Sequence, residues 1–145
     1  MLRKAKPSDL QAIIDLAVES VSRNPIQVKI DMEAMRDQAE QCLMPSHFLM
    51  VSEIDGAVVG AVAAFVSPSF WHEKTCCSVL LHYSRVPGEW VKLMKAFSEW
   101  VKSRTNIKVA VVELEPEHDA RIIRFVKRLG FDRQSQNLTY VRNSQ

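Results

Sequence analysis

The sequence is short of most features that would place it outside the ordinary globular class. Its longest apolar run, Ala57 to Val66, is far below the roughly 20 residues a membrane-spanning helix needs. The basic N-terminal residues are not followed by an apolar stretch, so no secretory signal is expected. Cysteines number three, Cys42, Cys76 and Cys77. An odd number, with two adjacent residues aimed at opposite faces of a strand, gives neither a disulfide framework nor a metal site. They read as small apolar residues in a reducing compartment, and the chain as cytoplasmic. A formal net charge of only +2 offers no electrostatic footprint for nucleic acid, and no membrane partner is expected. With four glycines, 47% hydrophobic and 25% charged residues, the composition excludes collagen-like, low-complexity and disordered classes.

What remains is a 145-residue chain, long enough for one domain with a real core, spanning residues 1–145. The stretch from Val79 to Val101 organises it. A buried strand ending at Leu81, His82 and Tyr83 runs into the tight loop Ser84, Arg85, Val86, Pro87, Gly88, and then into a helix. In that helix Trp90, Leu93, Met94, Phe97, Trp100 and Val101 recur at the spacing of one apolar face. A strand, a glycine loop and a helix start in this order converge free backbone N–H groups on one point, which attracts a phosphate.

The other elements follow from the same patterns. Leu2 to Ala5 reads as an edge strand. A helix opens at Pro7 and carries the stripe Leu10, Ile13, Ile14, Ala17, Val18, Val21 until Asn24-Pro25. A looser second helix begins at Asp31, a good N-cap. His47 to Glu53 and Ala57 to Val66 are strands joined by the hairpin signal Asp55-Gly56. Phe70, Trp71, His72 and Glu73 form an aromatic turn before the strand Thr75 to Tyr83. Ile107 to Leu114 is expected as a buried strand. A last helix runs from Pro116 to Gly130, with acids at its start and a basic stripe of Arg121, Arg124, Lys127 and Arg128. Phe131 and Leu138 to Arg142 are expected to form a terminal strand pair.

This order resembles the GNAT superfamily of acyl-CoA-dependent N-acetyltransferases over nearly the whole chain. The superfamily's phosphate loop, Arg/Gln-x-x-Gly-x-Gly/Ala, is matched at Arg85 and Gly88 and departs at Trp90. Its last helix, roughly Asn-x-x-Ala-x-x-Phe-Tyr-x-x-x-Gly-Phe, is matched at Phe125, Gly130 and Phe131. Asp119, Ile122 and Val126 replace the Asn, Ala and Tyr. The wording from Ser69 to Gly88 is also similar to GNAT-like proteins encoded by tailed bacteriophages. The resemblance implies an α/β (α+β) fold with a central mixed, mostly antiparallel twisted sheet flanked by helices.

It implies a site as well. Acetyl-CoA would lie between the fourth and fifth strands, paired with Val79, Leu80 and Leu81. Its pyrophosphate would rest on the loop Arg85, Val86, Pro87, Gly88, Glu89, Trp90 and Val91. Asp119 would accept from a pantetheine amide, and Arg124 or Lys127 would reach the 3′-phosphate. Direct attack of an amine on the thioester needs a base and an acid. His82, Glu113, His118 and Glu73 are the candidate bases. Tyr83 and Tyr140 are the candidate acids, since Val126 has no proton to give. Four departures count against turnover, Asp119 and Val126 among them. Trp90 stands where the superfamily keeps a hydrogen or methyl, and Glu89 adds a carboxylate beside the expected anion. The expected function is therefore an acyl-CoA N-acyltransferase acting on a small-molecule or protein amine. The alternative is a GNAT-fold protein without cofactor, serving as a binding or structural component, of a phage particle or against a host protein. A homodimer is permitted by the exposed terminal strand.

Overall fold

Alternating apolar residues build most of a five-stranded sheet whose strands stand in chain order. The computed structural model describes residues 1–24, 29–68, 75–114 and 119–142. Strands β1 (Leu2–Lys4), β2 (Phe48–Ile54), β3 (Ala57–Pro68) and β4 (Thr75–Ser84) are antiparallel neighbours, and β5 (Ile107–Val111) runs parallel to β4. Asp55 and Gly56, with φ of 52° and 80°, make the two-residue turn between β2 and β3. Both central residues take the left-handed region that a type I′ hairpin demands, which Asp tolerates and Gly adopts freely.

The helices start where capping chemistry places them. A single 3-10 turn, Pro7–Asp9, precedes α1 (Leu10–Ser22). At the start of α2 (Met32–Gln41), the Asp31 carboxylate accepts the Ala34 N–H. Helix α3 (Pro87–Ser103) carries proline at its first position, where the missing N–H costs nothing. Helix α4 (Ala120–Arg128) is capped by Asp119, which accepts the N–H groups of Arg121 and Ile122.

Each face of the sheet buries one pair of helices. Ile13 and Leu16 of α1, with Cys42 after α2, meet Leu49, Val51, Ala61, Ala63 and Leu81. On the other face Phe48, Val62, Ala64 and Cys77 pack against Leu93, Met94 and Phe97 of α3. Phe97 is fully buried, with Phe131 stacked on it at 6.0 Å between ring centroids and Phe48 edge-on at 5.3 Å. The Gly130-Phe131 turn thereby ties α4 to α3. Burial of a side chain of this size contributes about 1.5–3 kcal/mol.

One irregularity in β4 decides the site. Ala63 stands opposite Leu81 and Ala64 opposite Val79, so Leu80 is an extra residue, a β-bulge. In a regular strand Val79 and Leu81 would share a face. Here Val79 packs on the α3 side and Leu81 on the α1 side. Beyond the bulge Tyr83 joins the α1 layer, while His82 turns toward α3.

Two expected elements are corrected. Residues 131–142 form no strand, and Leu138 and Tyr140 are 98% and 77% exposed. An alternating pattern makes a strand only beside an edge that completes its ladder, and among the described residues none lies against this segment. Strand β5 ends at Val111 rather than Leu114, and it is not buried: Val109 and Val111 are nearly half exposed on a strand that, among the described residues, pairs with β4 alone. The turn Phe70, Trp71, His72, Glu73 and the opening Pro116, Glu117, His118 lie outside the described residues.

Candidate active site

Strands β4 and β5 pair from Thr75 and Ile107 to Ser78 and Val111, and then part. From Val79 onward, this side of β4 faces a gap rather than a neighbouring strand among the described residues. A cleft of about 920 Å³ opens there, of a size that suits a small-molecule ligand. One wall is β4 from Val79 to Ser84, with the bulged Leu80 about half exposed. The end of α1 supplies Ser20, Val21, Arg23 and Asn24. Pro87, Trp90 and Val91 come from α3, Glu113 from beyond β5, and Asp119, Arg121, Ile122 and Phe125 from the α4 side.

At the mouth, the turn from Arg85 to Gly88 is closed by its own hydrogen bonds. The Arg85 N–H donates to the Val59 carbonyl and the Val86 N–H to Ser84 Oγ, while the Glu89 and Trp90 N–H groups point back to the Val86 carbonyl. The expected cradle of amides from Arg85 to Val91 therefore narrows. Gly88, at the second helical position, carries one of the amides that a helix start leaves without an intrahelical partner. A side chain built on Gly88 would meet nothing within 4 Å, so the space in front of it is open. The Arg85 guanidinium pairs with Glu19 of α1 at 2.8 Å, with both side chains well exposed.

Glu89 does not stand beside this opening. Its carboxylate is buried on the sheet side of α3, accepting the Ser52 hydroxyl on β2 and pairing with Lys92 at 3.1 Å. The Ser52 hydrogen bond, reinforced by Lys92, holds it below the usual carboxylate range. The expected charge conflict at the phosphate loop is absent, because Glu89 lies one turn before Leu93 on the buried face of the helix.

Trp90 is neither fully core nor a plug in the loop. Its indole leans on Phe125 of α4 at 5.7 Å and donates from Nε1 to His82 Nδ1 at 3.2 Å. His82 Nε2 lies 2.7 Å from the Glu113 carbonyl oxygen. Indole N–H only donates, so Nδ1 accepts and Nε2 carries the ring hydrogen, which it gives to Glu113. With both ring nitrogens engaged, His82 is not a free base.

Tyr83 contrasts with it. Its hydroxyl is buried on the cleft wall with no hydrogen-bond partner among the described residues, and the Arg23 guanidinium lies over its ring at 5.4 Å. Tyr140 is an exposed tail residue that does not line the cleft. Asp119 lines the cleft, but its carboxylate is engaged as the α4 cap. The Ile122 N–H first, and Arg121 after it, hold that carboxyl below its ordinary range. Arg124 does not line the cleft and Arg121 does, a residue expected only as part of a solvated stripe. Helical phase carries the signal: Arg121 and Ile122 lie one turn before Phe125 and share its face. Val126 is buried against the core. Among the described residues no group of His, Cys, Asp and Glu could hold a metal ion, and no helix is long and apolar enough to cross a membrane.

No protein-family profile matches the chain, and no curated protein matches it. Solved structures do. A possible acetyltransferase from Clostridium difficile 630 superposes with a TM-score of 0.71 at 15% identity, over 99% of this chain and 98% of that one. Glucosamine-6-phosphate N-acetyltransferase from Arabidopsis thaliana gives 0.69 at 13% identity, over 99% and 98%. The aminoglycoside acetyltransferase meta-AAC0020 from an uncultured soil metagenomic sample, in complex with sisomicin, gives 0.66 at 15% identity, over 100% and 96%. At these identities the likeness speaks for architecture, and the chain has the fold of the GNAT acetyltransferases.

Proposed function

We propose that the cleft receives an acyl-CoA and that the protein transfers its acyl group, of the acetyl type, to an amine. The observation that carries this reading is the parting of β4 from β5 beside the start of α3. It sets a bare strand edge and a helix N-terminus at one opening. The backbone of Val79, Leu80 and Leu81 would pair with the pantetheine amides as a neighbouring strand would. The pyrophosphate would approach the empty space at Gly88, in a turn shaped by Val86 and Pro87 and favoured by the dipole of α3. An exposed ion pair such as Arg85 with Glu19 is worth about 0–1 kcal/mol, so Arg85 can exchange its partner for a phosphate at little cost. Arg121 is the α4 cation within reach of the cleft.

Bound acyl-CoA supplies an electrophilic thioester carbon; the proton transfers belong to the chain. Tyr83 Oη has no hydrogen-bond partner among the described residues, which suits it to donate to a departing thiolate. Glu113 supplies the carboxylate on the cleft wall that accepts the amine proton. The acetyltransferases among the structural neighbours support an amine acceptor, of a small molecule or a protein.

The contact of Trp90 with His82 favours a second reading, in which the cleft is closed for good and the chain is a cofactor-free binding component. The similarity of the 69–88 wording to phage-encoded GNAT-like proteins supports a virion or host-protein partner for that role.

Thermal denaturation with acetyl-CoA separates the two. A ligand at a hundred times its Kd adds about 2.7 kcal/mol to the folded state. For a domain of this size that is a rise in Tm of roughly 5–15 °C. No shift at millimolar acetyl-CoA overturns the acyltransferase reading. If binding holds, Tyr83→Phe should leave the shift in place and slow acyl transfer by about 10²-fold or more.

A further inference from the structure

Three groups stand in a row across the gap between β4 and the segment after β5: the Trp90 indole, the His82 ring and the Glu113 carbonyl. The two strands have already parted at Ser78 and Val111, so among the described residues no backbone ladder joins them here. The bulge at Leu80 is what makes the row possible. Without the extra residue His82 would face α1, and its ring could not meet α3. The row is directional, from the indole N–H to Nδ1 and from Nε2–H to the carbonyl, and Phe125 backs the indole at 5.7 Å.

We propose that His82 is a positioning residue, the centre of a crossbar that sets the width of the cleft and is displaced when a ligand with backbone-like amides enters between the strands. The incoming amides take the Glu113 carbonyl and the bare edge of β4, and Trp90 swings with the ring that held it. This rests on the acyl-CoA reading for the identity of the ligand, while the crossbar itself rests on the two hydrogen bonds. It also assigns Trp90 a purpose: the residue departs from the glycine or alanine of the resembling loop because it is one end of the bar.

The test uses the full chain and coenzyme A as probe, with titration calorimetry and ¹⁵N spectra of the His82 ring and the Trp90 indole. The wild type should show the Nε2–H tautomer and a Trp90 Nε1–H protected from solvent exchange. Trp90→Phe keeps the ring against Phe125 but removes the donor; His82→Ala removes the centre. Each should tighten coenzyme A binding by about tenfold, since hydrogen bonds no longer have to be broken on binding. His82→Gln retains one donor and one acceptor and should bind as the wild type does. Destabilisation alone does not tighten a ligand, so a merely structural histidine would not produce this pattern. Equal or weaker binding by Trp90→Phe and His82→Ala overturns the proposal, as does an indole N–H that exchanges at the solvent rate in the wild type. If no variant binds coenzyme A, the acyl-CoA reading and the displacement step fail together. A protected indole N–H that is lost in His82→Ala would then still establish the bar as a fixed closure.

Discussion

The Glu89 carboxylate accepts the hydroxyl hydrogen of Ser52, binding the first turn of α3 to the middle of the sheet. An acid in a loop that resembles a phosphate site is thereby taken out of the site's electrostatics. Glu89→Gln should change coenzyme A affinity by less than about threefold, because the carboxylate is turned into the sheet and its charge is already compensated by the Ser52 hydroxyl and Lys92. The same variant should lower Tm, since the neutral amide is a weaker acceptor for Ser52 and loses Lys92. A large gain in affinity, measured by calorimetry, would mean that the carboxylate does face the anion.

Asp9 predicts the acid limit of the fold. It is buried, forked against Arg3 at 2.7 and 3.0 Å and bonded to the Lys6 N–H, and the Arg3 contact holds its carboxyl below the usual range. A depressed folded pKa stabilises above the unfolded value, near 3.9, and that contribution is lost as pH falls through the folded one. Tm should therefore drop steeply below about pH 4. Asp9→Asn should melt earlier at pH 7 and show a flatter Tm profile on the acid side. Parallel profiles for the two proteins would remove Asp9 from the explanation.

Much of the architecture is legible from spacing alone. The stripe Leu93, Met94, Phe97 and the pair Asp55-Gly56 place α3 and the central hairpin where the structure has them. What spacing hides is direction at irregular points. The bulge at Leu80 reverses the parity of β4, so His82 and Tyr83 face sides that simple alternation would not assign them. Glu89 lies one turn before Leu93 on the buried stripe, a phase that the sequence shows, while its place in the loop motif sets it beside the expected anion. The segment from Leu138 to Val141 alternates like a strand, yet alternation says nothing about whether an edge is there to receive it.

The thiols should differ sharply in reactivity. Burial pushes both Cys42 and Cys77 up to about 11, whereas Cys76 is only half-buried. At pH 8 a thiol with that pKa is about one part in a thousand thiolate, and thiolate is the nucleophile. Ellman's reagent should modify one cysteine in the native protein at pH 8, Cys76, and all three after denaturation. Rapid native modification of Cys77 would show that the contact between the sheet and α3 opens readily.

Removing residues 138–145 tests the exposed tail. Leu138 and Tyr140 have little contact with the domain, so their loss should change unfolding free energy by no more than about 0.5 kcal/mol in urea. A loss of several kcal/mol would show that this segment completes the bare side of β5 in solution, as its alternation suggests.

Gly88 separates stability from ligand binding in one substitution. It occupies the first turn of α3, and an added Cβ would find open space. Alanine there restricts the unfolded chain and suits a helix better, by up to about 1 kcal/mol. Gly88→Ala should therefore raise Tm by a few degrees. If a phosphate approaches this backbone, the added methyl stands in its path, and coenzyme A affinity should fall by about tenfold or more. A glycine whose replacement stabilises the fold and weakens the ligand is one kept for the ligand. A Gly88→Ala protein that melts later and binds coenzyme A as tightly as before would remove the helix start from the binding site.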